Sequence, residues 1–195
     1  GEPGSGKTHL ISAFVNQALK QNSDLLVLWG QCNAFTGQGD PFFPFMNMAR
    51  IMAGDVEPLL PGGIISLAHL ERVWRYLPNS LASLVNDGPD IIKRFLPFNN
   101  QFKLASTHPG VSADLIDAIQ ALITKPAIGR MGQPVLNDQF TQVLSNISKD
   151  HPLILILDDL QWIDPGSTGL LCHLGRQITA KRFLILGAFL TEEAL

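Results

Sequence analysis

A glycine-rich octapeptide opens the sequence and leaves few folds open to the chain. It reads Gly1-Glu2-Pro3-Gly4-Ser5-Gly6-Lys7-Thr8 and fits the pattern G-x-x-x-x-G-K-[ST] without a mismatch. Glycine adopts the positive φ angles that let a backbone curl until successive N–H groups point inward. The positive end of a helix that begins at Lys7 adds to this cradle. The pattern therefore predicts a phosphate-binding loop, the Walker A motif, within a strand–loop–helix unit of an α/β fold.

Two residues of this loop carry specific chemistry beyond the backbone contacts. Lys7 supplies a full positive charge for the β- and γ-phosphates of a nucleotide, and the Thr8 hydroxyl can bind Mg²⁺. All eight residues are predicted to contact the nucleotide, and Lys7 is also predicted to be catalytic. A chance match is the alternative interpretation. It is disfavoured by the helical period of apolar residues that follows directly, at Leu10, Ile11, Phe14, Val15, Ala18 and Leu19.

The second motif is an apolar run that ends in two aspartates. Residues 153–157 read Leu-Ile-Leu-Ile-Leu, which is typical of a strand buried on both faces of a parallel sheet. Asp158 at its carboxyl end would hold Mg²⁺, usually through water, and Asp159 would orient or deprotonate an attacking water. The alternative is a turn-forming aspartate pair. The presence of the glycine-rich loop in the same chain favours the catalytic interpretation, a Walker B motif.

Strands alternate with helices at both ends of the chain, which predicts an α/β sheet with right-handed crossovers. The middle of the chain shows helices and loops without a convincing strand. We therefore divide it into a Walker A half (1–54), a helical insertion (55–150) and a Walker B half (151–195). Strands are predicted at 25–29, 153–157 and 183–189, and helices at 46–53, 67–77, 80–85, 91–96, 113–123, 135–147 and from Pro165 onward.

Composition excludes several classes of protein. The formal net charge is −3 and no basic stripe is present, so nucleic acid is not expected as a direct partner. The two cysteines, Cys32 and Cys172, are too few for a disulfide scaffold and are interpreted as buried free thiols. No apolar run approaches the roughly 18 residues that span a bilayer. A cytoplasmic protein without membrane association is the expectation.

The segment around the aspartate pair resembles a known family. Asp158-Asp159-Leu160-Gln161-Trp162-Ile163-Asp164-Pro165 is similar to the D-D-L-H/Q-W-A-D-P signature of AAA-like ATPase modules in STAND-type signalling proteins. The resemblance covers the whole chain, but it is weak between residues 55 and 150. Further similar segments are Trp29-Gly30-Gln31-Cys32 (the family's second strand), Pro41-Phe42-Phe43-Pro44-Phe45 (its P-Y-x-P segment) and Gly187-Ala188-Phe189 (its G-T-Y strand ending).

This resemblance implies a P-loop NTPase sheet of strand order 5-1-4-3-2, with ATP and Mg²⁺ as ligands. The chain would hold strands two to four, and the first and fifth strands would lie before Gly1 and beyond Leu195. The implied function is a regulatory ATPase module, covalently linked to effector domains as in large LuxR-type regulators, adenylate or guanylate cyclases and fused protein kinases. Homo-oligomerisation of the full-length protein stays open. The sequence contains no guanine-reading N/T-K-x-D motif, which favours ATP over GTP.

One departure from the family affects the expected activity. The family often has an arginine after its fourth strand that senses the γ-phosphate, and the matching residue here is Leu190. Either the arginine comes from elsewhere, or hydrolysis is slow and the module acts mainly as a binding switch. Leu190 also favours a second function, a non-hydrolysing, nucleotide-dependent interaction switch. A small-molecule kinase is a third alternative, disfavoured because no arginine-rich lid is evident. Near the site, Trp162 is expected to pack beneath it, Asp164 to cap a helix, and Gln161 is a candidate for positioning water.

Overall fold

The computed structural model describes residues 4, 6–33, 41–56, 66–96, 106–124, 132–177 and 182–190. The predicted loops at 36–40 and 97–100, and most of the one at 125–134, lie outside these residues. In chain order the described elements are α1 (Lys7–Gln21), β1 (Leu26–Gln31), α2 (Phe43–Met52), α3 (Leu67–Asp87), α4 (Pro89–Phe95), α5 (Ala113–Thr124), α6 (Gln133–Asp150), β2 (Leu153–Asp158), a 3₁₀ turn (Leu160–Trp162), α7 (Pro165–Gln177) and β3 (Phe183–Gly187).

The described strands form one parallel sheet in the order β1-β2-β3. All six residues of β2 are buried, as its unbroken apolar run predicts. Gln31 pairs with Asp158, and Leu157 pairs with Gly187, so the carboxyl ends of the strands meet at one edge. The α/β prediction is thereby confirmed. The five-strand order and the division into three segments stay predictions.

Strand boundaries differ from the expected ones by one or two residues. β1 begins one residue later than predicted and extends to Gln31, because Gly30 and Gln31 still pair with β2. β3 ends at Gly187, two residues before the expected end. These differences place Asp158 opposite Gln31, at the rim of the sheet.

The described part of the region from residue 55 to 150 contains helices joined by short turns and no strand, and the buried face of its last helix matches the predicted one. The buried apolar face of α6 comprises Leu136, Phe140, Val143, Leu144 and Ile147. Phe140 packs edge-on against Phe45 of α2, with ring centroids 5.6 Å apart. The two helices predicted at 67–77 and 80–85 are instead the single helix α3 with Pro78 inside it. Burial of apolar residues on both sides of Pro78 outweighs the backbone hydrogen bond that proline removes.

Helix α3 is fastened to the connection between α1 and β1. The Arg72 guanidinium donates to two carbonyl oxygens, that of Leu19 and that of Asn22, the latter at 2.6 Å. These bonds satisfy carbonyl groups at the end of α1 that have no partner within the helix. The N–H of Val27 donates to Nε2 of His69 at 3.1 Å, on the side of β1 away from β2. His69 thus takes the place that a carbonyl of another strand would occupy.

The apolar face of α1 is narrower than predicted. Val15 and Leu19 are buried, but Leu10 and Phe14 are 71% and 45% exposed. Leu10 and Phe14 are one turn apart and lie on the flank of the predicted face, so they miss the core. Within the part of the chain that the structure describes, no helix combines the length and apolarity needed to cross a membrane.

Candidate functional site

The start of α1 has the backbone geometry that an anion cradle needs. Gly4 and Gly6 have φ angles of 74° and 79°, in the left-handed region that favours glycine. An added Cβ at either position would meet nothing within 4 Å, so conformation and not crowding demands glycine here. The helix begins at Lys7, and its N-cap residue, Gly6, makes no side-chain cap; the N-terminus of a helix is a favourable place for an anion. Gly1, Glu2, Pro3 and Ser5 lie outside the described residues.

The first turn of α1 contacts the carboxyl end of β2. The Thr8 hydroxyl donates to Oδ2 of Asp158 at 2.9 Å, although the two residues are 150 positions apart in sequence. Oδ1 of the same carboxylate accepts the N–H of Asp159 at 3.1 Å. Asp158 is 4% exposed, whereas Thr8 lies at the surface. The glycine-rich loop and the aspartate pair therefore meet, as the sequence predicts.

The chemistry of this pair suits a magnesium ion, because Mg²⁺ prefers oxygen ligands and the Thr8 hydroxyl and the Asp158 carboxylate supply them side by side. Among the described residues, no group of three or more His, Cys, Asp or Glu side chains could hold a metal. A hydroxyl and a single carboxylate are the sparse protein ligand set that Mg²⁺ uses when phosphates and water complete its shell.

Asp159 lies in a backbone turn that is held on both sides. Its φ and ψ angles are 57° and 44°, a left-handed conformation that aspartate tolerates better than most residues. The following N–H, of Leu160, donates to the carbonyl of Ala188 at 2.8 Å, and the N–H of Ala188 donates to Leu157 at 2.9 Å. The Leu160 side chain packs over Gly187, where an added Cβ would lie 2.4 Å from its Cδ1. The aspartate turn is thus bound to the end of β3.

Gln161 makes two contacts that the sequence did not reveal. Its Nε2 donates to Oδ1 of Asp159 at 3.1 Å, and its Oε1 accepts the N–H of Leu190 at 3.1 Å. The sequence pattern indicated Gln161 only as a candidate for positioning water. The contact with Leu190 depends on how β3 ends, which no local pattern encodes.

The next two predictions about this segment have opposite outcomes. Asp164 caps α7, because its Oδ1 accepts the N–H of Ser167 at 2.8 Å; it also accepts the N–H of Phe42 at 3.1 Å. That prediction is confirmed. Trp162 was expected to pack beneath the site, but it is 45% exposed. The expectation was wrong because the short 3₁₀ turn points this side chain outward.

Negative charge accumulates at the carboxyl edge of the sheet. Burial, and then the nearby carboxylates of Asp164, Asp159 and Asp158, raise the pKa of the Cys32 thiol to about 12. The Cys32 N–H donates to the Asp158 carbonyl at 2.9 Å, which places the thiol beside the aspartate pair. A field that opposes one more anion favours a bound cation. Both cysteines are free, as expected, but Cys172 is exposed and not buried.

Comparisons with known proteins give one match. A protein-family model described as AAA ATPase domain matches residues 1–186. No curated protein and no solved structure matches the chain.

Proposed function

Because this chain belongs to the AAA ATPase domain family, we propose that it binds and hydrolyses ATP as the regulatory module of a larger signalling or transcription-regulatory protein. The observation that carries the proposal is the hydrogen bond between Thr8 and Asp158, which joins the glycine-rich loop to the aspartate pair. Effector domains linked to the module would deliver its output.

The glycine-rich loop binds the triphosphate in this proposal. Backbone N–H groups of the non-proline residues in the loop and the positive end of α1 would face the phosphates, and Lys7 would contribute a full charge. Thr8 and Asp158 would hold Mg²⁺, which when bound neutralises charge on the β- and γ-phosphates. The buried position of Asp158 supports this role, because a buried carboxylate needs a cation or hydrogen-bond donors.

Asp159 is proposed to act on water. It directly follows Asp158, the proposed metal ligand, and its carboxylate is bonded to Gln161. A carboxylate there can orient a water for in-line attack on the γ-phosphate and take up its proton. The two carboxylates have different partners, Thr8 for Asp158 and Gln161 for Asp159, which is consistent with different tasks.

A second candidate function is a nucleotide-dependent switch that does not hydrolyse ATP. The observation that favours it is Leu190, at the place where the family often has a sensor arginine. Its backbone N–H is bonded to Gln161, and an apolar side chain there has no charge to offer a phosphate. Tight ATP binding without turnover would identify the switch.

Two substitutions in the full-length protein test the proposal. Lys7→Ala should weaken ATP binding by about 10- to 100-fold, because charged hydrogen bonds to the phosphates are lost. Asp159→Asn should still bind ATP but lower turnover on the order of 10²- to 10⁴-fold, because the base is lost. Isothermal titration and phosphate release measure the two effects.

Matched controls are available at exposed positions. Lys20→Ala, in the last turn of α1, and Asp117→Asn, on α5, remove the same groups from the surface and should change neither binding nor turnover. Wild-type turnover in both Lys7→Ala and Asp159→Asn would reject the assigned roles. Transfer of phosphate to a small molecule instead of water would favour a kinase.

A further inference from the structure

We propose that Gln161 is a positioning residue that fixes the carboxylate of Asp159 and couples it to the chain after β3. This inference deepens the proposed function and rests on it for the role of Asp159. The side-chain amide of Gln161 makes two hydrogen bonds, each 3.1 Å long. Its NH₂ group donates to Oδ1 of Asp159, and its carbonyl oxygen accepts the N–H of Leu190.

The chemistry of the two partners permits only one orientation of the amide. A carboxylate oxygen is an acceptor and must face the NH₂ group, whereas a backbone N–H is a donor and must face the carbonyl oxygen. The reversed amide would set two acceptors against each other at Asp159 and two donors at Leu190. Gln161 is therefore held in a single orientation by both neighbours.

The backbone around Asp159 leaves its side-chain torsions as the remaining freedom. The N–H of Asp159 is bonded to Asp158, its carbonyl accepts the N–H of Trp162 at 2.9 Å, and Leu160 is bonded to Ala188. With the backbone pinned, the carboxylate direction depends on what binds its oxygens. Among the described contacts, the Gln161 amide binds Oδ1, which leaves Oδ2 for a water.

The two hydrogen bonds of Gln161, here called the bridge, would allow the chain after β3 to regulate Asp159. Leu190 follows β3 by three residues, and the Leu160–Ala188–Leu157 hydrogen bonds tie that strand end to the aspartate turn. A displacement of the chain at Leu190 would pull on the Gln161 carbonyl and turn Asp159. The bridge thus connects Asp159 to the chain that follows β3.

The test uses the full-length protein with two substitutions at Gln161. Gln161→Met keeps the length of the side chain and removes both hydrogen bonds. Gln161→His restores one donor and one acceptor, since a neutral imidazole carries both. We expect Gln161→Met to slow single-turnover hydrolysis on the order of 10²-fold, the cost of misplacing a reacting group. Its ATP affinity should be unchanged, and Gln161→His should recover most of the rate.

A second measurement detects the bridge without requiring hydrolysis. Hydrogen–deuterium exchange at the Leu190 amide should be faster in Gln161→Met, because the amide loses its acceptor. It should also be faster in Asp159→Ala, because Gln161 loses its anchor. Gln120→Met, at an exposed position on α5, is the matched control and should leave both the exchange and the hydrolysis rate at wild-type values.

The outcomes separate this inference from the proposed function. Wild-type protein without ATP turnover would reject the proposed function, while the exchange measurement would still decide whether the bridge exists. Wild-type exchange at Leu190 in Gln161→Met overturns the inference. So does an additional loss of rate when Gln161→Met is combined with Asp159→Asn, because a residue that acts through Asp159 has no effect once that carboxylate is gone.

Discussion

Gly30 shows how closely a strand and a helix, β1 and α2, can approach when a single Cβ is missing. An added Cβ would lie 2.5 Å from the carbonyl oxygen of Pro44 and 2.8 Å from its carbonyl carbon. These are backbone atoms at the start of α2, so they cannot rotate aside as the end of a side chain can. The close approach lets α2 pack against the last residues of β1, beside Asp158.

Gly30→Ala should destabilise the domain by about 1–3 kcal/mol or more, because overpacking forces the backbone to shift. Gly175 is a matched control: it lies in α7, and an added Cβ would meet nothing within 4 Å. Gly175→Ala should stabilise by about 0.5–1 kcal/mol, because alanine favours a helix. Urea dependence of hydrogen exchange in β1 and α7 peptides measures both. Equal effects at the two positions would contradict the packing argument.

At the scale of elements, helix α3 is held to β1 through a neutral histidine. Burial, and then the positive charge of Arg72, lower the pKa of His69 to about 4. Only an imidazole nitrogen without a proton can accept the N–H of Val27, so the folded state requires the neutral form. The hydrogen bond and the lowered pKa have the same origin.

This arrangement predicts a loss of stability in mild acid. Above the ordinary pKa of 6.5, His69 is neutral in both states and its full contribution is present. As the pH falls from 6.5 to about 4, the unfolded chain binds a proton that the folded chain excludes, which favours unfolding. The loss from this group is on the order of 3 kcal/mol.

His69→Gln keeps an acceptor but does not titrate, so that part of the acid sensitivity should disappear. Urea unfolding followed by exchange of β1 and α3 peptides, at pH 7 and pH 4.5, compares the variant with wild type. His9→Gln, at an exposed position of α1, should retain the wild-type pH dependence. A wild-type acid response in His69→Gln would show that other groups cause it.

At the scale of the whole molecule, the site exists only when both ends of the chain are folded together. Thr8 and Asp158 are 150 positions apart, and helices α2 to α6 fold between them. A ligand that binds both residues therefore binds the folded state and not the unfolded chain. Its binding free energy adds to the stability of the entire domain.

ATP with Mg²⁺ should stabilise the domain by about 2.7 kcal/mol at a ligand concentration 100-fold above the dissociation constant. EDTA should remove much of this gain, because Thr8 and Asp158 contribute through the metal. Thr8→Val should reduce the stabilisation as EDTA does, whereas Thr124→Val, at an exposed position of α5, should not. Thermal unfolding with ATP, with and without EDTA, provides the measurement. An EDTA-insensitive shift would argue against the metal site.

The sequence predicted features that depend on local pattern, and it missed those that depend on distant contacts. The periodic face of α6, the buried run of β2 and the cap at Asp164 are encoded by neighbouring residues. The continuity of α3 through Pro78 was missed, since tertiary burial there overrides a local helix breaker. The Gln161–Leu190 bridge was missed because it forms only when the end of β3 lies beside the aspartate turn.

His69, on the side of β1 away from β2, also affects whether the sheet can pair with a strand of a second molecule. A strand with free N–H groups along its side can recruit a strand of a second molecule, which is a common route to aggregation. At Val27 that N–H is already occupied by the imidazole of His69. A second chain could extend the sheet there only by displacing α3. One buried side chain therefore blocks intermolecular pairing at Val27.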